Sequence, residues 1–282
     1  MKVLIDIDCK RVGEGIASSL FWIPEMEIIM WISNTKPTMD MFDETQPDFV
    51  IADSAKFATP EMKIASSRYP HTKMISIGRP MEPNSEVKHA ITEPHLSISD
   101  HSLQRVPSIP FEGGAMIGDI GCPPFDKDLQ TDLLCITDYI SDEDNANEAL
   151  SFLCENYNIK IFGKKKVSFP HYLGQIDKNV QAQAIASTLV YVDLDGSSWY
   201  DAAWLGKECV SISKGCFRSF SNIEELKSAV DEAIEEGEKS SEKIKLLIKN
   251  KTYFELVSDI LLFFNLIEQR NILMEKKREL TC

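Results

Sequence analysis

The chain has 282 residues, 43% of them hydrophobic and 26% charged, the balance of a globular protein with one large domain or two modest ones. Its formal net charge of −14 does not attract nucleic acid or anionic membrane to the surface as a whole. The longest apolar run, "LVSDILLFFNLI", is short and broken by Asp259 and Asn265, so no membrane span is expected, and "MKVLIDIDCKRVGEG" turns polar too soon for a signal peptide.

In chain order, "KVLIDID" is a short apolar run that predicts a buried strand, and "GEGIASSLFWI" follows with helical spacing. Next come "MEIIMWIS" as a strand, "TMDMFDET" as a helix, "DFVIAD" as a strand, "PEMKIASSRY" as a helix and "TKMISIG" as a strand. Near-continuously apolar strands alternating with short helices predict a parallel sheet covered on both faces, a doubly wound unit. The proline-rich stretch from Arg79 to Pro124 breaks the pattern, although "HAIT" and "HLSIS" within it are short strand candidates. Its later part reads as a linker, which gives domains 1–122 and 123–282.

Alternation then resumes. "TDLLCIT", "IKIFG", a short "HYLGQI", "TLVYVDLD" and "ECVSIS" are strands. "DEDNANEALSFLCEN", "KNVQAQAIAS", "SWYDAAWLG" and "NIEELKSAVDEAIEEG" are helices, and Ser240 to about Glu279 reads as helical throughout. The expected class is α/β: two Rossmann-like doubly wound domains with a long C-terminal helical segment. Its wide apolar stripe suits core packing, with a homodimer interface as the main alternative.

The seven cysteines are scattered without a C-x-x-C pair and read as reduced thiols of a cytoplasmic protein. The five histidines show no H-x-x-x-H spacing and no carboxylate cluster accompanies them, so no metal site is expected. His89, His95 and His101 read as ordinary loop histidines. Gly13 and Gly15 form a lone G-x-G after the first strand, too weak for a dinucleotide fingerprint, and Glu14 between them would repel a pyrophosphate. No nucleophile elbow or P-loop is present.

The stretch "DLDGSSWYDAAWLGKECVSI" carries the most chemistry. A strand ends at Asp193, Gly196-Ser197-Ser198 make a turn, and a helix starts with Ser197 or Ser198 as its cap and stops at Gly206. The plain meaning is a capped helix. The functional one is an anion seat, because unpaired N–H groups at a helix start face the carboxyl edge of the sheet.

This stretch resembles the C-terminal domain of GT-B (two-Rossmann) glycosyltransferases and related sugar-nucleotide epimerases. There an acidic or Gly-Ser turn precedes a helix of the type E-A-x-x-x-G-K-P and then an apolar strand; here the helix is "DAAWLGKECVSI". The resemblance implies that Asp201 binds the donor ribose and that Asp193, eight residues earlier, lies near the transferred sugar as a catalytic acid. It implies that Gly196, Ser197 and Ser198 receive a diphosphate and that Lys164 or Lys165, in "IFGKKKVSF", neutralises it. It also implies that His171 or Tyr172 stacks on the nucleobase. Both acids are Asp where the family has Glu, and Glu208 replaces the usual proline.

The function implied is a glycosyltransferase moving a sugar from a nucleotide-activated donor to an unidentified acceptor, with no cofactor. The N-terminal domain would serve the acceptor side and the C-terminal domain the donor side. The alternatives are a non-catalytic structural or interaction protein on the same scaffold and a sugar-nucleotide epimerase.

Overall fold

The computed structural model describes residues 1–282 except 9, 32–37, 79–93, 100–106, 112, 139, 141–142 and 282. It divides into two compact units, 1–112 with 254–276, and 113–253 with 277–282. The sequence-based boundary at 122/123 falls inside the second unit.

The first unit holds a six-stranded parallel sheet of β1 (Lys2–Asp6), β2 (Glu27–Met30), β3 (Phe49–Asp53), β4 (Lys73–Ile77), β5 (Leu96–Ile98) and β6 (Ser108–Ile109), ordered β2-β1-β3-β4-β5-β6. Helices α1 (Lys10–Leu20), α2 (Thr38–Thr45) and α3 (Pro60–Arg68) connect its early strands. Phe42 and Met41 of α2 and Met62 and Ala65 of α3 bury one face against Leu4, Val50 and Met74. The α3 start is set by Thr59, whose hydroxyl accepts from Met62 N at 3.3 Å, with Pro60 in the first helical turn.

Three expectations change in this unit. Helix α1 starts at Lys10, ahead of the expected "GEGIASSLFWI", and runs through Gly13 and Gly15. A Cβ at Gly13 would meet Met30 Cε at 3.5 Å and Ile7 Cβ at 3.7 Å, ordinary contact distances, so packing at this position does not demand glycine. The supposed linker contributes β6, paired in parallel with β5. Of the two strand candidates there, "HLSIS" contains β5, while "HAIT" lies outside the described residues, as do His89 and His101. His95 accepts a hydrogen bond from Met74 N on Nδ1 at 3.0 Å and is a strand-pairing residue.

The second unit opens with α4 (Ile117–Ile120), a one-turn helix in what the sequence presents as linker. Its parallel sheet comprises β7 (Thr131–Ile136), β8 (Ile159–Phe162), β9 (Thr188–Asp193) and β10 (Glu208–Ser211), ordered β10-β9-β7-β8. The helices are α5 (Glu143–Asn156), α6 (Lys178–Ser187), α7 (Trp199–Trp204), α8 (Ile223–Glu236) and α9 (Ser241–Ile248). Leu150 and Leu153 of α5 and Leu226 and Val230 of α8 cover one face, over Leu133, Ile161, Val192 and Val210. Cys209 Sγ on the opposite face approaches Trp199 O of α7 at 3.5 Å.

"HYLGQI" is not a strand: it forms an isolated bridge between Tyr172 and Ile161, and Gly174 O accepts from Gly163 N at 3.1 Å. Glu208, where the resembled family has proline, is buried at the start of β10 and forms an ion pair with Arg218 Nη1 at 2.5 Å and a hydrogen bond with Ser240. A buried carboxylate held by two partners ties the strand start to the segment after it, a role proline has no polar group to fill.

The C-terminal segment is not continuously helical. It breaks after α9 and again between α10 (Tyr253–Phe263) and α11 (Ile267–Glu279), where Asn265 takes a positive φ of 59°. Residues 254–276 belong to the first unit, where Phe264 packs edge-on against Phe49 of β3 at 5.3 Å. Cys135, Cys154, Cys209 and Cys216 are free thiols, as expected, whereas Cys122 is disulfide-bonded. Among the described residues no helix is long and apolar enough to cross a membrane.

Candidate functional site

In an open parallel sheet, ligands settle outside the carboxyl ends of the strands where the strand order reverses. The second sheet reverses between β7 and β9, because β8 lies on one side of β7 and β9 and β10 on the other. The exits of all four strands share this edge. They carry Thr137 and Asp138, the Gly163–Lys166 loop, the Asp193–Ser198 turn, and Ser211 to Ser213.

The Asp193–Ser198 turn is closed by its own carboxylates. Asp193 is fully buried, and its Oδ1 accepts from Asp195 N at 3.0 Å, Gly196 N at 3.1 Å and Ser198 Oγ at 2.8 Å. Its Oδ2 accepts from Trp199 N at 3.3 Å and Ser211 Oγ at 2.7 Å. Asp195 Oδ1 accepts from Ser197 N at 2.7 Å, Ser197 Oγ at 2.6 Å and Ser198 N at 2.9 Å. Every backbone N–H from Asp195 to Trp199 therefore already faces a carboxylate oxygen. Gly196 permits the turn with a φ of +82°.

These contacts correct three expectations. Asp193, expected beside a transferred sugar, has no exposed surface and no unused carboxylate oxygen, so it organises the turn. Ser198 precedes α7 but its side chain does not cap it; the hydroxyl donates to Asp193 and accepts from Tyr191 OH at 3.0 Å. Gly196, Ser197 and Ser198, expected to receive a diphosphate, have their N–H groups satisfied within the chain. Asp195 has no role in the sequence-based expectations, although an Asp two residues before Ser197 is the usual signal for a side chain that folds back onto a turn. Burial first, and the neighbouring Asp195 charge second, push the Asp193 carboxyl up to about 7, against the opposing pull of its hydrogen bonds.

Asp201 is also turned inward. It is 6% exposed, and its Oδ1 accepts from Met116 N at 2.9 Å, which fixes the start of α4. The hollow beside it holds about 20 Å³, room for a water and far too little for a ribose. Helix α7 ends as expected at Gly206, in a Schellman arrangement: Gly206 N donates to Ala203 O at 2.9 Å and Lys207 N to Ala202 O at 3.0 Å.

The lysine loop is placed differently. β8 and β9 are both parallel neighbours of β7, so Lys164–Lys166 and Gly196–Ser198 emerge on the same edge, one strand apart. Gly163, with a φ of +141°, starts the loop; a Cβ there would come within 2.7 Å of Thr137 N. Lys164 N donates to Asp138 Oδ1 at 2.6 Å, and its side chain is exposed. Lys165 Nζ donates to Ile140 O at 2.7 Å. Lys165 and Lys166 line a hollow of about 290 Å³ with Asn147, Ser168 and the apolar Ile140, Val167 and Phe169.

Tyr172, expected to stack on a nucleobase, donates from its hydroxyl to Gly163 O at 2.8 Å, and its ring packs on the core. It braces the lysine loop. His171 accepts from Ile161 N through its carbonyl at 3.0 Å, while its buried Nδ1 has no hydrogen-bond partner.

The carboxyl edge of the first sheet holds residues to which the sequence reading gave no role. Asp6 ends β1 almost fully buried, with Lys56 Nζ 3.5 Å from its Oδ2. Asp53 ends β3 and accepts from Asp8 N at 2.5 Å. Burial raises the carboxyls of Asp6 and Asp53 above their ordinary range. Among the described residues no group of three or more His, Cys, Asp or Glu is arranged to hold a metal ion.

No family model matches the chain, and no curated protein matches it. Solved structures do. Anabaena Alr3699/HepE, in complex with UDP, superposes with a TM-score of 0.59 at 11% identity, over 93% of this chain and 99% of that one. A putative UDP-N-acetylglucosamine 2-epimerase from Listeria monocytogenes gives 0.56 at 13%, over 94% and 96%. The lipopolysaccharide outer core galactosyltransferase WaaB gives 0.54 at 13%, over 98% and 100%. At such identities the likeness is one of fold, and the fold is GT-B-like: two Rossmann-like α/β units in one chain, as the sequence motif implies.

Proposed function

We propose that this protein is a glycosyltransferase that moves a sugar from a nucleotide-activated donor, with the second unit as the donor side. The observation that carries the proposal is the lysine-lined hollow of about 290 Å³ at the carboxyl edge of β7 and β8, beside the point where the strand order reverses. In a chain of net charge −14, Lys165 and Lys166 in its lining, next to the exposed Lys164, are a local reversal of sign. They neutralise the diphosphate and the charge that grows on it as the sugar departs. Asp193 and Asp195 act by shaping the neighbouring turn, and Asp201 by fixing α4, so none of the three touches the sugar. The acceptor belongs to the first unit.

The test is turnover. The full chain is incubated with UDP-, GDP- and TDP-sugars, and nucleoside diphosphate release is followed with and without a panel of hydroxylated acceptors. Acceptor-dependent release is expected. Release without an acceptor, the sugar passing to water, would assign a hydrolase; an inverted sugar still joined to its nucleotide, with no net release, would assign the epimerase alternative.

A second reading has its own support: all five N–H groups of the turn already have carboxylate acceptors. A scaffold whose anion seat is filled from within suits a non-catalytic member of the fold. Nucleotide binding without turnover of any donor would favour it.

A further inference from the structure

We propose that a second hollow, over the carboxyl ends of β9 and β10, is the seat of the nucleoside ring, so that the donor straddles the first turns of α5. The proposal rests on the donor-side assignment above. This hollow holds about 370 Å³, within the range of small-molecule sites. Its walls are Leu194 from the end of β9, Ile212 from the end of β10, Phe220, and Ala149 of α5. Its polar rim is Asn145, Glu148 and Asn222.

The chemistry of that lining selects the ligand. No lysine or arginine borders the hollow, and Glu148 adds a negative charge, so a phosphate is disfavoured there. An uncharged planar ring suits it: Phe220 and Leu194 offer apolar contact to the ring face, and the NH₂ of Asn222, whose Oδ1 caps α8 by accepting from Glu225 N at 2.9 Å, lies at the rim. Ile212 is 43% exposed beside the hollow, apolar surface that a ring would remove from water.

Ala146 borders both this hollow and the lysine-lined one. The two therefore meet across one turn of α5, with the apolar hollow on the β9–β10 side and the cationic hollow on the β7–β8 side. A nucleoside diphosphate has the matching polarity: a neutral ring at one end and two phosphates at the other. This route does not use the closed Asp193–Ser198 turn.

The experiment compares wild type with Ile212→Trp, which fills the hollow from a half-exposed position, and Asn145→Ala, which removes a rim amide. Circular dichroism confirms folding. The probes are uridine, guanosine and thymidine on one hand and inorganic pyrophosphate on the other, titrated calorimetrically. The ring seat predicts that Ile212→Trp weakens the preferred nucleoside at least tenfold, that Asn145→Ala weakens it several-fold, and that both leave pyrophosphate within twofold. Wild type that binds no nucleoside, or a folded Ile212→Trp that binds it within twofold of wild type, would overturn the siting. The siting and the function fail separately. Sugar transfer that persists in Ile212→Trp removes the siting alone. Nucleosides bound at this hollow without transfer of any sugar remove the transferase assignment alone.

Discussion

Asp193 shows how a single buried carboxylate can hold a whole turn in place. Its carboxylate is a hub for five donors, and burial together with Asp195 lifts its pKa to about 7. Since the folded value lies above the ordinary 3.8, the folded chain binds the proton more tightly than the unfolded one. The contribution is thus greatest below about pH 4 and is lost as pH rises through about 7. Asp193→Asn keeps the shape but turns one acceptor oxygen into an NH₂ group facing N–H donors. Chemical denaturation at pH 8 is expected to show a loss of about 1–3 kcal/mol, the cost of a buried unsatisfied donor. The deficit should widen as pH falls from 7 towards 4, because wild type gains stability there and the amide does not. A deficit that narrows on acidification would mean that the ionised carboxylate is the stabilising form.

At the scale of the element, the sequence was legible wherever period and punctuation agreed. α6 and α8 start at recognisable caps, Asp177 Oδ1 accepting from Val180 N at 2.9 Å and Asn222 Oδ1 from Glu225 N at 2.9 Å, and the extents of α2, α6 and α8 follow the pattern. The misses have local causes. α1 begins at Lys10, before its glycines, despite their low helix propensity, and buries Ile16 and Leu20 on one face. "HYLGQI" alternates like a strand but forms an isolated bridge. Spacing shows which groups lie near the Asp193–Ser198 turn, while the choice between a bound phosphate and a folded-back carboxylate depends on side-chain direction. The lysine loop depends on Gly163, whose positive φ and close approach to Thr137 leave no room for a side chain. Gly163→Ala should lower stability by about 2 kcal/mol or more, from strain and displacement of the β7 exit. Thermal unfolding within error of wild type would show that the loop relaxes without cost.

For the whole molecule, two parallel sheets, each with a reversal point, were expected from alternation alone. What the sequence left open was which edge groups remain available. The turn's donors are used internally, and the proposed phosphate seat is therefore the hollow that Lys165 and Lys166 line. The most direct measurement is calorimetric titration of UDP, GDP and TDP, and of their nucleosides, into wild type and into a Lys164→Ala/Lys165→Ala/Lys166→Ala variant shown to be folded. Wild type should bind one diphosphate more tightly than its nucleoside, with an affinity that falls as salt rises, because exposed lysines are screened. The triple variant should lose at least tenfold for the diphosphate and little for the nucleoside. Equal losses for both ligands, or a diphosphate affinity unchanged by removing all three lysines, would contradict the account.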